Sequence, residues 1–188
     1  MIKLIDKIRR AIIQFKMVSI RNGWKKAEFL KKKNIFHHIG EHSFYQSTYL
    51  PAEPFLVSIG NNVAISAGVR LITHSAAHVI FDKEDNTNEY ICRHGKVEIG
   101  NNVYIGADVI INMGITIVNN VIIAAGAIVT HDIPDNSVVA GVPAKIIGTY
   151  SDTKKKHKEY SEKYNEAGLY EPCTVREMTE KFPIEFND

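Results

Sequence analysis

Two histidines, four residues apart, are the side chains best suited to proton-transfer chemistry. His74 lies in the segment LITHS, and His78 follows it. An imidazole changes charge near neutral pH, so it can take a proton from a hydroxyl group within hydrogen-bond reach. Cys92 is a less suitable candidate, because the sequence shows no activating partner for a thiol nucleophile. Which histidine can act depends on the elements that position it.

The composition is that of a globular protein with one core domain. The chain has 188 residues, of which 45% are hydrophobic and 23% charged, enough for a substantial core. Cys92 and Cys173 are far apart and form no CxxC pair, which favours free thiols in a reducing compartment. The sequence contains no GxxxxGK phosphate loop and no GxSxG nucleophile elbow. Its N-terminal segment resembles neither a signal peptide nor a membrane span, so we expect a cytoplasmic protein.

A six-residue repeat organises the middle of the chain. An aliphatic residue recurs at the first position of consecutive units and another at the fifth. The units from Ile99 onward are IGNNVY, IGADVI, INMGIT, IVNNVI, IAAGAI and VTHDIP, and an earlier block reads IGNNVA, ISAGVR and LITHSA. A period of six fits neither a helix nor a simple strand, but it fits a coil with three flat faces whose aliphatic side chains point inward.

The spacing of an asparagine pair supports coils of three units each. Asn101 and Asn102 recur 18 residues later as Asn119 and Asn120, so stacked parallel coils place the pairs one above the other at about 4.8 Å. Glycine, asparagine and alanine at these positions suit tight turns with a positive φ or with little space. The alternative, a set of ordinary hairpins, does not explain nine units in phase.

Three other segments interrupt or flank the repeat. We expect helices in an N-terminal segment, residues 1–36, and a repeat domain over residues 37–148. An external loop at about residues 76–96 separates the two repeat blocks, and a loop of that length is usually functional or disordered. A C-terminal helical extension, residues 149–188, is predicted to begin near Ser151 and to include a short helix around Val175 to Phe182.

Residues 39–148 resemble the hexapeptide-repeat acyltransferases. The closing segment PDNSVVAGVPAKII carries the most specific likeness, and the branch is that of maltose, galactoside, xenobiotic and capsular-polysaccharide O-acetyltransferases. The resemblance implies an all-β core in the form of a left-handed parallel β-helix, with terminal α-helices and one long external loop. It also implies a homotrimer with active sites between subunits, acetyl-CoA as the donor and a sugar or glycan acceptor. No metal and no nucleic acid are expected.

The resemblance assigns roles to individual residues. His74 matches the family's catalytic histidine, with His78 as the second candidate, although Ser75 stands where Pro or Asp is frequent. Tyr104 takes a position where relatives carry Trp beside the active site. The remaining donor-binding positions lie along a groove and near the nucleotide phosphates; they are Ala107, Ala125, Thr130, His131 and Lys145. His131 replaces a common Lys, which makes Lys145 the stronger phosphate candidate.

The acceptor side is less well defined. His42, Gln46 and Glu53 lie on an irregular first coil and are candidates for the acceptor pocket. The leading hypothesis is direct acetyl transfer from acetyl-CoA to a sugar hydroxyl, with His74 as general base and backbone N–H groups stabilising the oxyanion. One alternative is a zinc enzyme like the γ-class carbonic anhydrases, with His74, His78 and His94 as ligands. Another is a non-catalytic trimeric scaffold.

The N-terminal segment carries an unusual charge. Residues 1–35 have a formal charge of +9, against −7 for the remainder. The first predicted helix combines an apolar stripe with basic residues, a pattern compatible with an anionic membrane surface. The stripe is Leu4, Ile5, Ile8, Ile12 and Phe15. The alternative is that the stripe packs on the coil or on another subunit while the lysines remain solvated.

Overall fold

The computed structural model describes residues 2–165, with side-chain placement for residues 8–162. The chain divides into two compact units, Met1–Tyr150 and Ser151–Asp188. Cys173 and the predicted helix around Val175 to Phe182 lie outside the described residues.

The described chain contains four α-helices and fifteen short strands. In chain order they are α1 (Ile2–Ser19), α2 (Gly23–Lys32), β1 (His38–Ile39), β2 (Phe44–Tyr45), β3 (Val57–Ile59), β4 (Val63–Ile65), β5 (Arg70–Leu71), β6 (His74–Ser75), α3 (His78–Glu84), β7 (Arg93–His94), β8 (Val97–Ile99), β9 (Val103–Ile105), β10 (Ile110–Ile111), β11 (Ile115–Ile117), β12 (Val121–Ile123), β13 (Ile128–Val129), β14 (Ser137–Ala140), β15 (Lys145–Thr149) and α4 (Tyr150–Asn165). A 3-10 turn, Pro54–Leu56, precedes β3.

Three parallel sheets form the faces of one coil. Face A contains β1, β3, β8 and β11; face B contains β2, β4, β9, β12 and β14; face C contains β5, β10 and β13. Residues 18 apart pair within each face, as Val97 does with Ile115 and Val103 with Val121. Across the excursion the offset is 40 residues, as between Val57 and Val97. The predicted three-faced parallel coil is therefore confirmed.

The interior of the coil is filled by the first and fifth residues of the repeat. All of these are buried except Ser75, the fifth residue of LITHSA: Ile59, Ile65, Leu71, Ile99, Ile105, Ile111, Ile117, Ile123 and Val129 at the first position, and Val63, Val69, Val103, Val109, Ile115, Val121, Ala127 and Ile133 at the fifth. Full burial of one such Val, Leu or Ile contributes roughly 1.5–3 kcal/mol. The period of six thus gives each coil one aliphatic side chain on either side of every corner.

Asparagine ladders hold the corner between faces A and B. The Oδ1 of Asn101 accepts from the backbone N–H of Asn61 at 2.8 Å, and the Oδ1 of Asn119 accepts from the N–H of Asn101 at the same distance. A second ladder runs from Asn62 to Asn102, at 2.9 Å. Asn62 and Asn102 have φ of 54° and 56°, a conformation that asparagine tolerates better than most residues.

Gly100 at the same corner serves a different purpose. A Cβ there would collide with the backbone carbonyl of Val118 in the next coil. Gly60 stands in the same relation to Gly100. The glycines at this corner therefore allow close approach of successive coils, while the asparagines that follow supply the turn.

Helix α1 packs against the coil with a different face from the one that carries the predicted apolar stripe. Ile13 and Met17 are buried, whereas Ile12 and Phe15 are 59% and 74% exposed. Arg10, on the polar side of α1, donates hydrogen bonds to backbone carbonyls of the first coil. Ile12 and Phe15 therefore do not pack on the coil of their own chain, and hydrogen bonds from Arg10 and Gln14 turn the polar side of α1 toward it.

The excursion between the two repeat blocks has its own structure. β6 and β7 pair antiparallel at its base, with His74 opposite His94 and Ser75 opposite Arg93. α3 and a turn connect these strands. The excursion therefore begins and ends beside the third corner of the coil, between faces C and A.

A hairpin ends the first unit. β15 pairs antiparallel with β14 and places Lys145 opposite Ala140. In the second unit, α4 is strongly charged and carries Asp152 in its first turn. Among residues 2–165, no helix combines the length and apolar character that a membrane span requires.

Candidate active site

The candidate active site lies at the corner between faces C and A, where the excursion leaves the coil. His74 Nδ1 is 3.0 Å from Glu53 Oε2. Because a carboxylate only accepts hydrogen bonds, Nδ1 carries the proton of this bond. The Nε2 of the neutral imidazole is then left with a lone pair. That is the protonation state a general base needs.

Thr73 completes the support of the carboxylate. Its hydroxyl donates to Glu53 Oε2 at 2.6 Å, and its Oγ1 accepts from the backbone N–H of Glu53 at 3.2 Å. Partial burial by itself raises the pKa of Glu53, but the hydrogen bonds from Thr73 and His74 and the imidazole charges of His74 and His94 outweigh it. The pKa of Glu53 is therefore below its usual value, and the carboxylate is ionised at neutral pH.

A second imidazole lies on the other side of Glu53. His94 Nε2 is 3.9 Å from Glu53 Oε1, and the rings of His94 and His74 are 5.9 Å apart. His94 Nδ1 lies 3.1 Å from the backbone oxygen of Cys92, to which it donates. The Cys92 thiol donates to the backbone oxygen of Ser75 at 3.5 Å. The antiparallel pair β6–β7 thus brings both imidazoles to one carboxylate.

A row of carbonyl groups fixes the segment that precedes Glu53. Every backbone oxygen of residues 48–52 accepts a side-chain hydrogen bond. Arg10 donates three of these bonds, Gln14 one and the buried Tyr45 one, at 2.6–3.4 Å. Helix α1 and the first coil together fix the backbone of residues 48–52, and thereby the position of the Glu53 backbone that follows.

A pocket of about 180 Å³ opens beside His74 on the outer side of face C. It is smaller than the roughly 300–1,000 Å³ typical of pockets for drug-sized ligands, and suits a single small ring or group. Its lining consists of residues 49–52 and residues 70–74. Arg70 and Tyr49 are among these lining residues, together with His74.

His78 occupies a different environment. It begins α3, and its Nδ1 is buried with no hydrogen-bond partner among the described residues. Glu53 receives its hydrogen bonds from Thr73 and His74. Of the two histidines, His74 therefore has the geometry of an oriented base.

Glu53 is the only one of the three predicted acceptor residues that the structure brings to His74 within the described chain. His42 lies at the corner between faces A and B, with φ of 53°, where later coils carry Asn62. Gln46 lies at the corner between faces B and C, and its Nε2 donates to the backbone oxygen of Arg21 at 3.1 Å. His42 and Gln46 thus occupy the two other corners of the first coil.

The predicted donor residues fall on two corners. Thr130 and His131 follow β13 and lie on the same corner as His74, two coils further along, or about 10 Å at the strand spacing. Thr130 Oγ1 and His131 Nδ1 are 2.9 Å apart. Ala107 and Ala125 stack at the corner between faces B and C, where the N–H of Gly126 donates to the oxygen of Ala107 at 2.8 Å.

Tyr104 and Lys145 lie elsewhere. Tyr104 points outward from the middle of face B and is 48% exposed, with Ala64 and Ile122 beside it in the neighbouring coils. Lys145 is exposed at the start of β15. Within one chain, Tyr104 and His74 are on different faces, so a site containing both requires a second copy.

The zinc alternative would place its site between subunits, beyond the described residues of one chain. They contain no group of three or more His, Cys, Asp or Glu side chains arranged to hold a metal ion. His74 Nδ1 is occupied by Glu53, and His78 lies in α3. A three-histidine site would need ligands from another subunit.

Sequence reasoning did not identify the relation between Glu53 and His74, nor the contributions of Thr73 and Arg70. Thr73 could have been considered from the sequence alone, because it directly precedes the candidate base His74. Glu53 is 21 residues away, on a coil whose path two prolines make irregular. Arg70 is the one charged outward residue on the strands of face C.

The chain is similar to known acetyltransferases. It is 39% identical over 119 residues to a galactoside O-acetyltransferase of Escherichia coli K12, a match that covers 63% of this chain and 56% of that protein. It is 41% identical over 124 residues to the protein CapG of Staphylococcus aureus, covering 63% of this chain and 70% of CapG. The match thus spans little more than half the length of the galactoside enzyme.

A solved structure shows the same likeness. A galactoside acetyltransferase in complex with coenzyme A superposes with a TM-score of 0.57 at 29% identity, over 79% of this chain and 82% of that one. No protein-family model matches the sequence. The similarity to CapG nevertheless covers more than two thirds of that relative, and the three-faced coil agrees with the solved neighbour. The predicted family is therefore confirmed: the chain belongs to the hexapeptide-repeat acetyltransferases, a family that uses acetyl-CoA as the acyl donor.

Proposed function

We propose that this protein is an O-acetyltransferase that moves the acetyl group of acetyl-CoA directly to a hydroxyl group of a sugar or glycan precursor, with His74 as general base. The observation that carries the proposal is the hydrogen bond between Glu53 Oε2 and His74 Nδ1. It fixes the tautomer in which Nε2 can accept a proton, beside a pocket the size of one small ring. The likeness to a galactoside O-acetyltransferase supports a sugar acceptor.

The reaction follows from these positions. His74 Nε2 takes the proton of the acceptor hydroxyl as its oxygen attacks the thioester carbon. The tetrahedral intermediate then expels coenzyme A as a thiolate, which recovers the proton from the imidazolium. Glu53 stabilises the imidazolium between these two steps. A positioned base of this kind contributes about 100- to 10,000-fold to the rate. Backbone N–H groups are proposed to stabilise the oxyanion.

The proposed donor site uses the corners of the coil. Thr130 and His131 lie on the His74 corner, so an extended pantetheine chain running along it would place the thioester near His74. Ala107 and Ala125 offer small side chains for close backbone approach at the other corner. Lys145 is proposed to meet the nucleotide phosphates. The coenzyme A complex of a structural neighbour supports the donor.

We propose a homotrimer, because the faces of the coil differ in their outward residues. The outward positions of face A are polar or acidic, whereas those of faces B and C are mostly apolar. They are His38, Ser58, Glu98 and Thr116 on face A, Phe44, Ala64, Tyr104, Ile122 and Val138 on face B, and Arg70, Ile110 and Ile128 on face C. Neighbouring copies would cover the apolar faces and bring Tyr104 of one subunit to the His74 corner of another. Light scattering should report about three times the 21.1 kDa chain mass.

We also propose that α1 contacts an anionic membrane surface from the cytoplasmic side. Its outward residues Ile12 and Phe15 are exposed, and a cleft of about 590 Å³ between α1 and α2 has an apolar floor. Arg9, Lys16 and Lys33 line the same cleft. An apolar strip flanked by basic side chains complements a bilayer with anionic headgroups.

A labelled acetyl-CoA assay tests the proposed function. The purified protein is incubated with labelled acetyl-CoA and a panel of sugar glycosides, while coenzyme A release is followed in parallel. Transfer of label to at least one sugar, with equal release of coenzyme A, is the expected result. A protein that binds no coenzyme A would be the scaffold of the alternative hypothesis, and the proposal would fail.

A further inference from the structure

Arg70 is a charged residue in an otherwise apolar column. It points outward from β5 on face C, and the residues paired with it in the next two coils are Ile110 and Ile128. Arg70 lines the same pocket as His74. A guanidinium on this face is therefore a feature of the pocket and not of the repeat.

Tyr49 holds the guanidinium in one orientation. The Arg70 Cζ lies 4.5 Å from the centre of the Tyr49 ring, and Arg70 Nη2 donates to the Tyr49 hydroxyl at 3.2 Å. Tyr49 is itself held by two backbone hydrogen bonds, one to Ser47 Oγ at 3.1 Å and one from the buried Tyr45 at 2.9 Å. Stacking on an aromatic ring restricts an arginine side chain before any ligand arrives.

The charge of Arg70 is not neutralised by the described part of the chain. No carboxylate among these residues lies within 4.0 Å of the guanidinium. Glu53, which belongs to the same corner, is occupied by Thr73 and His74. A guanidinium has five N–H donors in a planar fork, and Tyr49 uses one of them. The fork is therefore available to a ligand in the pocket.

We propose that Arg70 and Tyr49 form a subsite for an anionic group on the acceptor, so that the preferred acceptor is a sugar bearing a carboxylate or a phosphate. The inference rests on the proposed acetyl transfer and specifies its substrate class. Bidentate hydrogen bonds from the guanidinium to two oxygens would orient the ring. One sugar hydroxyl would then lie at His74 Nε2, since Arg70 and His74 line the same small pocket.

Matched acceptors and three variants test the subsite. The acceptors are a methyl glucoside, the corresponding methyl glucuronide and glucose 1-phosphate, which separate a neutral ring, a carboxylate and a phosphate. The variants are Arg70→Gln, Arg70→Lys and the control Arg21→Gln, which removes an equal charge outside the pocket. Each is assayed for kcat/KM with every acceptor and for the KM of acetyl-CoA.

The expected result is a change in acceptor preference. Wild type favours at least one charged acceptor over the glucoside, and Arg70→Gln lowers that preference by about 10- to 100-fold, the usual worth of a charged hydrogen bond. Arg70→Lys restores part of it, and Arg21→Gln leaves it unchanged. The charged acceptor whose kcat/KM falls most in Arg70→Gln shows whether the subsite binds a carboxylate or a phosphate.

Other outcomes would overturn the subsite. Equal use of all three acceptors by wild type, or equal losses on all of them in Arg70→Gln, would mean that Arg70 does not recognise an anion on the acceptor. A rise in the KM of acetyl-CoA of the same size would assign Arg70 to the donor. In each of these three cases wild type still transfers acetyl groups. Failure of the proposed function would instead appear as no transfer by wild type to any sugar.

Discussion

Arg10 of the first helix donates a hydrogen bond of 2.6 Å to the backbone oxygen of Ala52, the residue before Glu53. Its second amino group reaches the oxygen of Pro51 at 2.8 Å. The N-terminal helix is thus attached to the segment that carries the carboxylate partner of His74. A basic residue of the N-terminal helix is therefore part of the support of the candidate site.

Replacement of Arg10 by alanine should loosen this support. Arg10→Ala leaves three backbone oxygens without their side-chain donor, so Glu53 loses its fixed position. We expect kcat to fall by up to about 100-fold, the cost of a misplacement of about 1 Å. Amide exchange of residues 50–53 should accelerate while exchange in the coil interior stays slow. The matched control is Arg9→Ala, which removes a neighbouring guanidinium from the outer cleft; an equal loss in both variants would contradict this role.

The carboxylate of Glu53 should contribute to both rate and acid stability. Glu53→Gln keeps the size of the side chain but removes the charge that stabilises the His74 imidazolium, so kcat should fall while the KM of acetyl-CoA changes little. Because the pKa of Glu53 is lowered in the folded state, its ionisation stabilises the fold above the ordinary value of 4.5. That stabilisation is lost as pH falls through the lower folded pKa.

Urea unfolding at several pH values measures the effect. The difference in unfolding free energy between wild type and Glu53→Gln should be constant near neutral pH and shrink below about 4.5. A difference that grows on acidification would show that the pKa of Glu53 is raised in the folded protein, and the network around His74 would need another explanation.

The corner glycines provide a test of the coil. Gly100→Ala places a methyl group against the Val118 carbonyl, so it should destabilise the protein by about 1–3 kcal/mol through overpacking. Gly114 has φ of 78° but open space around its missing Cβ. Gly114→Ala should therefore cost less, about 1–2 kcal/mol from backbone strain. Chemical unfolding compares the two, and a larger loss at Gly114 would contradict the close stacking at Gly100.

The repeat shows how far sequence reasoning extends in this chain. Positions such as Ile105 and Val109 recur with a fixed period, so their burial and the three faces could be predicted from spacing alone. The position of Glu53 could not, because it depends on an irregular segment that Arg10 and Gln14 hold from outside the repeat. A repeat period predicts the contacts that every coil makes in the same way. It does not predict contacts between a coil and a segment outside the repeat.

The orientation of α1 illustrates the same difference. Its apolar residues have helical spacing, which predicts a helix with an apolar stripe but not which side faces the protein. Met17 and Ile13 are buried, while Ile12 and Phe15 point away. Hydrogen bonds from Arg10 and Gln14 to backbone oxygens decide the orientation, because such acceptors are invisible in a hydropathy pattern.

Vesicle binding tests the proposed membrane contact of α1. We expect wild type to sediment with anionic vesicles at low salt and to be released as salt rises, since about 1 kcal/mol per basic residue comes from screened charge. A double substitution of Ile12 and Phe15 by serine should abolish binding, because both side chains are exposed. The control Tyr160→Ser removes an exposed aromatic side chain from α4. Absence of binding by wild type at low salt would refute the contact.

The most direct test of the account compares His74→Ala with His78→Ala in a labelled acetyl-CoA transfer assay, with coenzyme A affinity measured on the same samples. We predict that His74→Ala lowers the transfer rate by about 100- to 10,000-fold while coenzyme A binds nearly as before, because the imidazole meets the acceptor hydroxyl and not the nucleotide. His78→Ala should retain most of the activity. Near-normal turnover of His74→Ala together with an inactive His78→Ala would contradict the assignment of the general base.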